Sequence, residues 1–208
     1  YKSTDGGVNW SPVMLFEMLG NYCVGPSGGS CGGVSALVID PLNPTTLFGA
    51  TKAITVYGWE GELLYTIQPQ VVKSMDGGAS WNATSLTDVD VSALAIDRLT
   101  LTTLYAATYA LVYKSTDGGA SWNAATLTDV GEISSLVIDP LTPTTLYAGL
   151  GYAGNGRGVF KSMDAGPSWS ASGLTDLVVS SLAIDPLAPT TLYAGTGTGG
   201  VYKSTNSG

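Results

Sequence analysis

Histidine is absent from the 208-residue chain, and cysteine and arginine are represented by two residues each. Without imidazole there is no histidine base, no histidine partner for a nucleophile and no histidine metal ligand. Two thiols are also too few to form a closed four-cysteine metal site. We therefore expect neither a bound metal nor another cofactor.

Positive charge is scarce as well, with 8 basic residues against 16 acidic ones and a sequence pI near 4.2. Such a chain repels phosphate groups, so nucleic acids and anionic membrane surfaces are poor partners. No apolar run approaches the roughly 18 residues of a membrane-spanning helix. The sequence predicts no nucleic-acid binding and no membrane insertion.

What the chain does contain is glycine, at 28 residues, together with 44% hydrophobic residues and only 12% charged ones. This composition is rich in turns but apolar enough to form a packed core. No segment shows sustained helical periodicity, whereas short alternating apolar runs recur along the chain. The composition favours an all-β protein.

The main signal is one unit written four times. Each unit contains a Ser-x-Asp-x-Gly-x-x-Trp box, then Leu-Ala/Val-Ile-Asp, then a segment close to Pro-Leu-x-Pro-Thr-Thr-Leu-Tyr. A fifth box begins at Ser204 and reaches Gly208 without its Trp. The four box sets are Ser3, Asp5, Gly7 and Trp10; Ser74, Asp76, Gly78 and Trp81; Ser115, Asp117, Gly119 and Trp122; and Ser162, Asp164, Gly166 and Trp169.

The box aspartates are 71, 41 and 47 residues apart, and Asn206 follows the last of them by 42. A basic period near 41 with four short strands matches one blade of a β-propeller. We predict a single β-propeller domain over residues 1–208, made of four repeats of about 41–71 residues. The first and longest repeat carries inserts at 14–33 and 52–71.

The chain begins and ends in the same strand of the repeat, so it holds a whole number of units. The strand that starts at Trp10 is expected to pair with Val201–Ser204 and close a four-bladed ring. The alternative is an arc of a larger ring, whose unpaired strand edges would favour self-association.

The repeated box resembles the Asp-box, also called the bacterial neuraminidase repeat, which occurs in sialidases, xyloglucanase-type hydrolases and sortilin-type receptors. The Ile-Asp-Pro-Leu-x-Pro-Thr-Thr-Leu-Tyr segment is most similar to xyloglucanase-like and sortilin-like bacterial propeller repeats. The resemblance implies a propeller fold, but it does not choose between an enzyme and a binding module.

The box residues themselves are interpreted as a folding device. Asp in a tight turn accepts backbone N–H bonds, Gly supplies a positive φ, and Trp packs beneath the turn. Calcium at each box is the alternative, but one carboxylate per unit is few for an ion that takes roughly six to eight oxygen ligands.

The variable segments fall on the opposite edge of the blades from the constant turns, and we call that edge the insertion face. Loops that vary over a constant scaffold commonly carry binding residues. One predicted feature is an extra hairpin over residues 53–65, and a second is a Gly-rich loop near residue 155. The ligand-binding candidates on them are Tyr57, Trp59 and Glu60, and Tyr152, Asn155 and Arg157. In the alternative interpretation Trp59 covers the hairpin's own apolar side, and the glycines merely permit a turn.

The two cysteines, Cys23 and Cys31, lie in a loop dense in Gly and Ser. A disulfide between them is expected, which indicates an oxidising compartment and a secreted or cell-surface protein; two unpaired thiols are the alternative. Because the sequence starts at Tyr1 without a signal-peptide pattern, it is interpreted as a processed or excised piece.

The expected function is that of a non-catalytic binding module that recognises a glycan or a protein on the insertion face. A structural segment of a larger extracellular protein is the first alternative, and a fragment of a xyloglucanase-like hydrolase is the second. Hydrolysis requires two facing carboxylates, and no pair stands out among the candidates Glu17, Glu60, Glu62, Asp90 and Glu132. Sialidases of the resembled family use an Arg cluster, which Arg98 and Arg157 do not provide. We do not expect catalysis by this chain alone.

Overall fold

A computed structural model of the chain describes residues 1–11, 33–57, 62–109, 111–126, 131–151 and 158–208. In these ranges the regular structure consists of β-strands, and every strand pair is antiparallel. None of the described segments forms a helix that could cross a membrane. The all-β prediction is confirmed.

The strands form successive sheets of the propeller type, and we number these sheets as blades 1 to 4. Among the described strands, blades 1 to 3 have four each and blade 4 has three. Blade 1 consists of β1 (Val34–Ile39), β2 (Leu47–Thr51), β5 (Gln70–Ser74) and β6 (Asn82–Thr87), and blade 2 of β7 (Ala93–Ile96), β8 (Leu104–Ala107), β9 (Leu111–Ser115) and β10 (Asn123–Thr126). Blade 3 consists of β11 (Ile133–Ile138), β12 (Leu146–Leu150), β13 (Gly158–Ser162) and β14 (Ser170–Gly173), and blade 4 of β15 (Val179–Ile184), β16 (Leu192–Thr196) and β17 (Gly200–Ser204).

A separate two-stranded sheet is inserted between the second and third strands of blade 1. It consists of β3 (Ile54–Tyr57) and β4 (Leu63–Ile67), paired antiparallel from Ile54 opposite Ile67 to Tyr57 opposite Leu63. The extra hairpin predicted for this segment is therefore present, and residues 58–61, which connect its strands, lie outside the described residues.

Each interior blade buries both of its faces against its neighbours, which explains why its first two strands are largely apolar. In β7, Leu94 and Ile96 pack towards blade 1, while Ala93 and Ala95 pack towards blade 3. This division follows from the two-residue period of a strand. The hydrophobic core is consequently a series of clusters between blades.

A serine at the first strand ties each of blades 1 to 3 to the blade that follows it. Ser35 Oγ donates to the carbonyl oxygen of Val91 at 2.5 Å. Ser92 donates in the same way to Ile133, and Ser134 to Val179. Because the acceptor always lies at the start of the next blade's first strand, these bonds hold consecutive blades in register. We refer to them as the serine bonds.

The described sheets do not close into a ring, so the expected pairing of the Trp10 strand with Val201–Ser204 is not found among these residues. Ser11 pairs instead with Lys2, through backbone bonds of 2.8 and 2.9 Å. Lys2 lies beside blade 1, with its ammonium 2.9 Å from where a β-carbon on Gly77 would be. Residues 1–11 thus lie on the side of blade 1 that faces away from blade 2, and Ser11 does not meet β17.

Candidate functional site

The constant turns of the repeat share one edge of the blades. In blade 2 the box turn bonds to the turn between the first two strands, from Gly118 N to the Thr102 carbonyl at 2.9 Å. Blades 1 and 3 make the same bond from Gly77 to Thr45 and from Ala165 to Thr144. The two turns therefore brace each other, and this edge is the constant face.

Each Asp-box is a closed set of short-range hydrogen bonds. In the third box the Ser115 hydroxyl donates to Asp117 Oδ1 at 2.8 Å and accepts the Gly119 N–H at 2.9 Å. Asp117 also accepts the backbone N–H of Ser121 at 2.8 Å and its hydroxyl at 2.5 Å. Gly119 has a φ of 91°, a conformation that other residues rarely adopt. Both oxygens of the carboxylate are occupied within their own turn.

These bonds stabilise the charged form of the box aspartates, so their pKa values lie well below the ordinary value. The pKa of Asp117 is lowered to about 2, chiefly by the Ser121 hydroxyl, and the pKa values of Asp76 and Asp164 by Ser80 and Ser168 in the same way. For Asp5 the largest cause of the lowered pKa is the backbone N–H of Asn9. Hydrogen bonds to a carboxylate favour ionisation.

The aspartate that follows the first strand of each blade also accepts hydrogen bonds from the backbone of its own loop. Asp139 Oδ1 accepts the N–H groups of Leu141 and Thr142 at 2.9 and 3.0 Å. Asp40 and Asp97 make corresponding bonds and are buried. This is the geometry of an Asx turn.

The insertion face lies at the opposite edge, where the second strand of a blade leads to its third. There the connection bonds to the segment that enters the same blade, from Gly151 N to the Glu132 carbonyl at 2.7 Å. Lys52 bonds likewise to Gly33, and Gly197 to Val178. The variable connections of successive blades are thus anchored at one edge, as the repeat predicted.

The predicted ligand residues lie almost wholly outside the described residues. Trp59, Glu60, Tyr152, Asn155 and Arg157 fall in the gaps at 58–61 and 152–157, and Cys23 and Cys31 fall in the gap at 12–32. The backbone of Tyr57 ends strand β3, opposite Leu63. Their roles stay predictions.

Three exposed apolar or aromatic side chains on this face were not predicted. Leu63 and Tyr65 are exposed on β4 of the extra hairpin, and Tyr109 is exposed in the corresponding connection of blade 2. The signal was available, because Leu63 and Tyr65 alternate along one strand in a segment that other repeats lack. These side chains expose apolar and aromatic surface on the insertion face.

Three of the candidate acids on the insertion face are among the described residues. Glu62, Asp90 and Glu132 are all exposed. In the part of the chain that the structure describes, no three carboxylate or thiol side chains come together as a metal site would need. The other two candidate acids, Glu17 and Glu60, lie outside the described residues.

A recess opens on the constant face, where the first strands of the blades end. It has a volume of about 380 Å³ and is lined by apolar residues of those strands, by three turn prolines and by Arg98. Arg98 stands where the other repeats have a proline, so it adds one guanidinium to an otherwise apolar recess. None of the described residues that line it carries a carboxylate.

Together, the sheet arrangement and the hydrogen-bonded boxes define an Asp-box β-propeller. The BNR/Asp-box repeat family model matches residues 1–12. A search of curated proteins found no match.

Solved structures of similar fold come from enzymes and from a nidogen/laminin complex. A GH74 enzyme of Niastella koreensis is 26% identical with a TM-score of 0.63, covering 82% of this chain and 28% of its own. The GH74 xyloglucanase of Xanthomonas campestris is 17% identical with a TM-score of 0.61, covering 86% of this chain and 30% of its own. A chain of the nidogen/laminin complex is 15% identical with a TM-score of 0.59, covering 78% of this chain and 56% of its own. The chain therefore spans less than a third of the two GH74 enzymes.

Proposed function

We propose that the protein is a non-catalytic binding module that recognises a glycan or a protein on its insertion face. The observation that carries this proposal is the extra hairpin β3–β4, which exposes Leu63 and Tyr65 on a face where the repeats vary. The aspartates and serines of the constant face are occupied by their own turns. A ligand therefore meets its main variable surface on the insertion face.

The chemistry of this face suits a sugar ring or an apolar protein anchor. Aromatic side chains such as Tyr65 and Tyr109 present flat apolar surface together with a hydroxyl group. Trp59, which lies between β3 and β4 in the sequence, is a further aromatic residue that we assign to this site. The similar folds include a xyloglucanase and a chain of a nidogen/laminin complex, which supports a glycan and a protein ligand respectively.

Two alternatives have observations of their own. The chain covers less than a third of the GH74 enzymes, which favours a segment of a larger protein, structural or hydrolytic. Hydrolysis needs an acid and a base across one sugar. Among the candidate acids the sequence singles out no such pair, so we rank hydrolysis third.

We also propose a secreted or cell-surface location, with Cys23 and Cys31 joined as a disulfide. The oxidising environment that a disulfide requires supports this location. Free-thiol titration of the native and the reduced protein tests the disulfide, and two free thiols in the native protein would refute it.

The function is tested with a glycan array on the purified chain beside the variants Trp59→Ala and Tyr65→Ala. Binding to one glycan class that both variants lose would support the hairpin site. Leu187→Ala is the matched control, because Leu187 is exposed on the constant face. This variant should bind glycans as the wild type does. Binding unaffected by the hairpin variants would move the site to another part of the face. No binding to any glycan or extracellular-matrix protein would favour the structural alternative.

A further inference from the structure

The recess on the constant face is formed mainly by the two interior blades. Its volume of about 380 Å³ lies within the roughly 300–1,000 Å³ of sites that hold small organic ligands. Blades 2 and 3, which both pack between two neighbours, supply more than half of its lining residues, Arg98 among them. The principal walls of the recess therefore belong to the interior of the repeat array.

These walls are apolar. Ile96, Ile138 and Ile184 end the first strands of blades 2, 3 and 4, and each is only partly buried in a cluster between blades, which leaves part of the side chain at the recess. Pro140 and Pro186 continue the apolar surface into the turns that follow. Such walls favour the hydrocarbon part of a ligand, because contact with them removes apolar surface from water.

Exposed leucines extend the apolar surface next to the recess. They occupy the same turn position in all four blades and are 65–91% exposed, namely Leu42, Leu99, Leu141 and Leu187. Each leucine follows directly in the sequence on the proline or arginine that lines the recess. A concentration of exposed apolar side chains on one face is typical of a binding surface.

Arg98 supplies the charge of the recess. It replaces the proline of the other repeats, and none of the described lining residues carries a carboxylate. The carboxylate of the preceding residue, Asp97, is buried and accepts the N–H of Leu99 at 2.8 Å within its own turn. The guanidinium therefore has no acidic counterpart among the residues that line the recess.

The ligand chemistry that matches this recess is one carboxylate joined to an apolar body. A guanidinium binds a carboxylate through two parallel N–H···O bonds. The net charge of −8 repels anions at long range, but screening over roughly 8 Å at physiological ionic strength leaves the nearest cation dominant. A neutral hydrocarbon would leave the guanidinium unpaired, and a small carboxylate such as acetate would leave the walls uncovered.

We propose that this recess binds amphiphilic carboxylates, with the carboxylate on Arg98 and the hydrocarbon chain along the ends of the first strands of blades 2 and 3. Medium-chain fatty acids such as octanoate represent this ligand class. The site lies on the opposite edge of the blades from the extra hairpin, so the inference goes beyond the ligand binding proposed for the insertion face.

The test is a titration of the 208-residue chain with octanoate, followed by NMR of ¹³C-labelled isoleucine methyl groups. The signals of Ile96 and Ile138 should shift in a saturable manner, whereas that of Ile54 in the extra hairpin should stay in place. Affinity should rise from hexanoate to octanoate to decanoate, by up to about fourfold for each added methylene group. 1-Octanol lacks the charge and should bind about tenfold or more weakly than octanoate.

Variants of Arg98 test the guanidinium. Arg98→Pro restores the residue of the other repeats, and Arg98→Gln removes only the charge; both should keep the circular dichroism of the wild type and lower the affinity for octanoate about tenfold or more. Arg98→Lys keeps the charge without the planar fork and should have an intermediate affinity. The matched control is Lys52→Gln, which removes a cation at an exposed position on the insertion face and should bind octanoate as the wild type does.

Four results would overturn the proposal. They are no binding at millimolar octanoate, equal affinity for octanoate and 1-octanol, wild-type affinity in Arg98→Pro and Arg98→Gln, and shifts at Ile54 as large as those at Ile138. None of them bears on the glycan array, because the hairpin variants in that experiment change the opposite edge of the blades.

Discussion

Val159 and Val201 hold the same position in the third strands of successive blades, yet one is 6% exposed and the other 76%. Tyr147 and Tyr193 make the same contrast in the second strands, at 1% and 38%. The sequence around each pair is nearly identical, so the difference arises from the neighbouring blade. An apolar pattern in a repeat protein indicates that a sheet face is suited to burial. Whether the face is buried depends on the presence of a neighbouring repeat.

The largest difference in stability is expected when the two equivalent tyrosines are replaced by alanine. Tyr147→Ala removes a fully buried ring from the cluster between blades 3 and 4, and should lower the free energy of unfolding by about 3–5 kcal/mol. Tyr193→Ala, on the exposed outer side of blade 4, should lower the free energy of unfolding by about 1 kcal/mol or less. Urea unfolding of both variants at low protein concentration measures the difference. Equal losses would mean that a neighbouring surface covers Tyr193.

A smaller effect is expected at the serine bonds. Ser134→Ala leaves the Val179 carbonyl without its hydroxyl donor at the junction of blades 3 and 4, and should cost about 1–3 kcal/mol. Ser180→Ala breaks a bond within its own exposed blade and should cost about 0.5 kcal/mol or less. The same unfolding experiment distinguishes the two. If Ser180→Ala costs as much as Ser134→Ala, Ser180 has an acceptor beyond its own blade.

Replacing two of the box tryptophans by Phe should lower the free energy of unfolding by amounts that differ by about 1 kcal/mol, which is the net contribution of one hydrogen bond. Trp169 Nε1 donates to the Gly166 carbonyl at 2.7 Å, whereas the buried Trp122 Nε1 has no acceptor in the described structure. The corresponding carbonyl of Gly119 instead accepts the N–H of Ser85 from the preceding blade at 3.3 Å. Trp169→Phe should therefore cost more than Trp122→Phe in thermal unfolding. The reverse order would contradict this account of the two boxes.

The interior and outer regions should differ least in how much folding stability they lose at low pH. Asp5 at the edge of the arc and Asp164 in blade 3 both have a pKa lowered to about 2 from 3.8. A lowered folded-state pKa means that their stabilisation is complete above about pH 4 and is lost as pH falls through about 2. Stability measured from pH 5 to pH 2 should fall, and Asp5→Asn and Asp164→Asn should each flatten the curve to a similar degree. A flat wild-type curve would contradict the lowered pKa values.

Sequence patterns predicted the strands, the Asp-box turns and the extra hairpin, because each depends on local spacing. Leu94 and Ile96 alternate with Ala93 and Ala95, and that uninterrupted apolar run indicates a strand buried on both faces. Ring closure was predicted from the matching phase of the two ends, but phase carries no information on the angle between blades. Residues 1–11 lie against blade 1, and Ser11, whose bridge partner is Lys2, does not meet β17.

The serine bonds and the exposed side chains of the insertion face could not be derived in the same way. Ser92 has the pattern of an ordinary polar residue of a strand, and its acceptor Ile133 lies 41 residues further on. Whether Tyr65 and Tyr109 are exposed depends on how loops from separate blades are arranged, which spacing does not encode. The proposed ligand residue Trp59 was selected because the other repeats have no tryptophan at that place. Such a difference between repeats does not indicate what the side chain contacts.

The serine bonds always run in one direction, from the hydroxyl of one blade to the carbonyl that begins the next. A gene duplication that copies one whole repeat therefore inserts both a new donor and a new acceptor, and leaves every existing bond intact. Loss of a whole repeat has the same property, since Ser35 would meet the carbonyl of Ile133 as readily as that of Val91. The number of blades can thus change in evolution by whole units without any compensating substitution at the junctions.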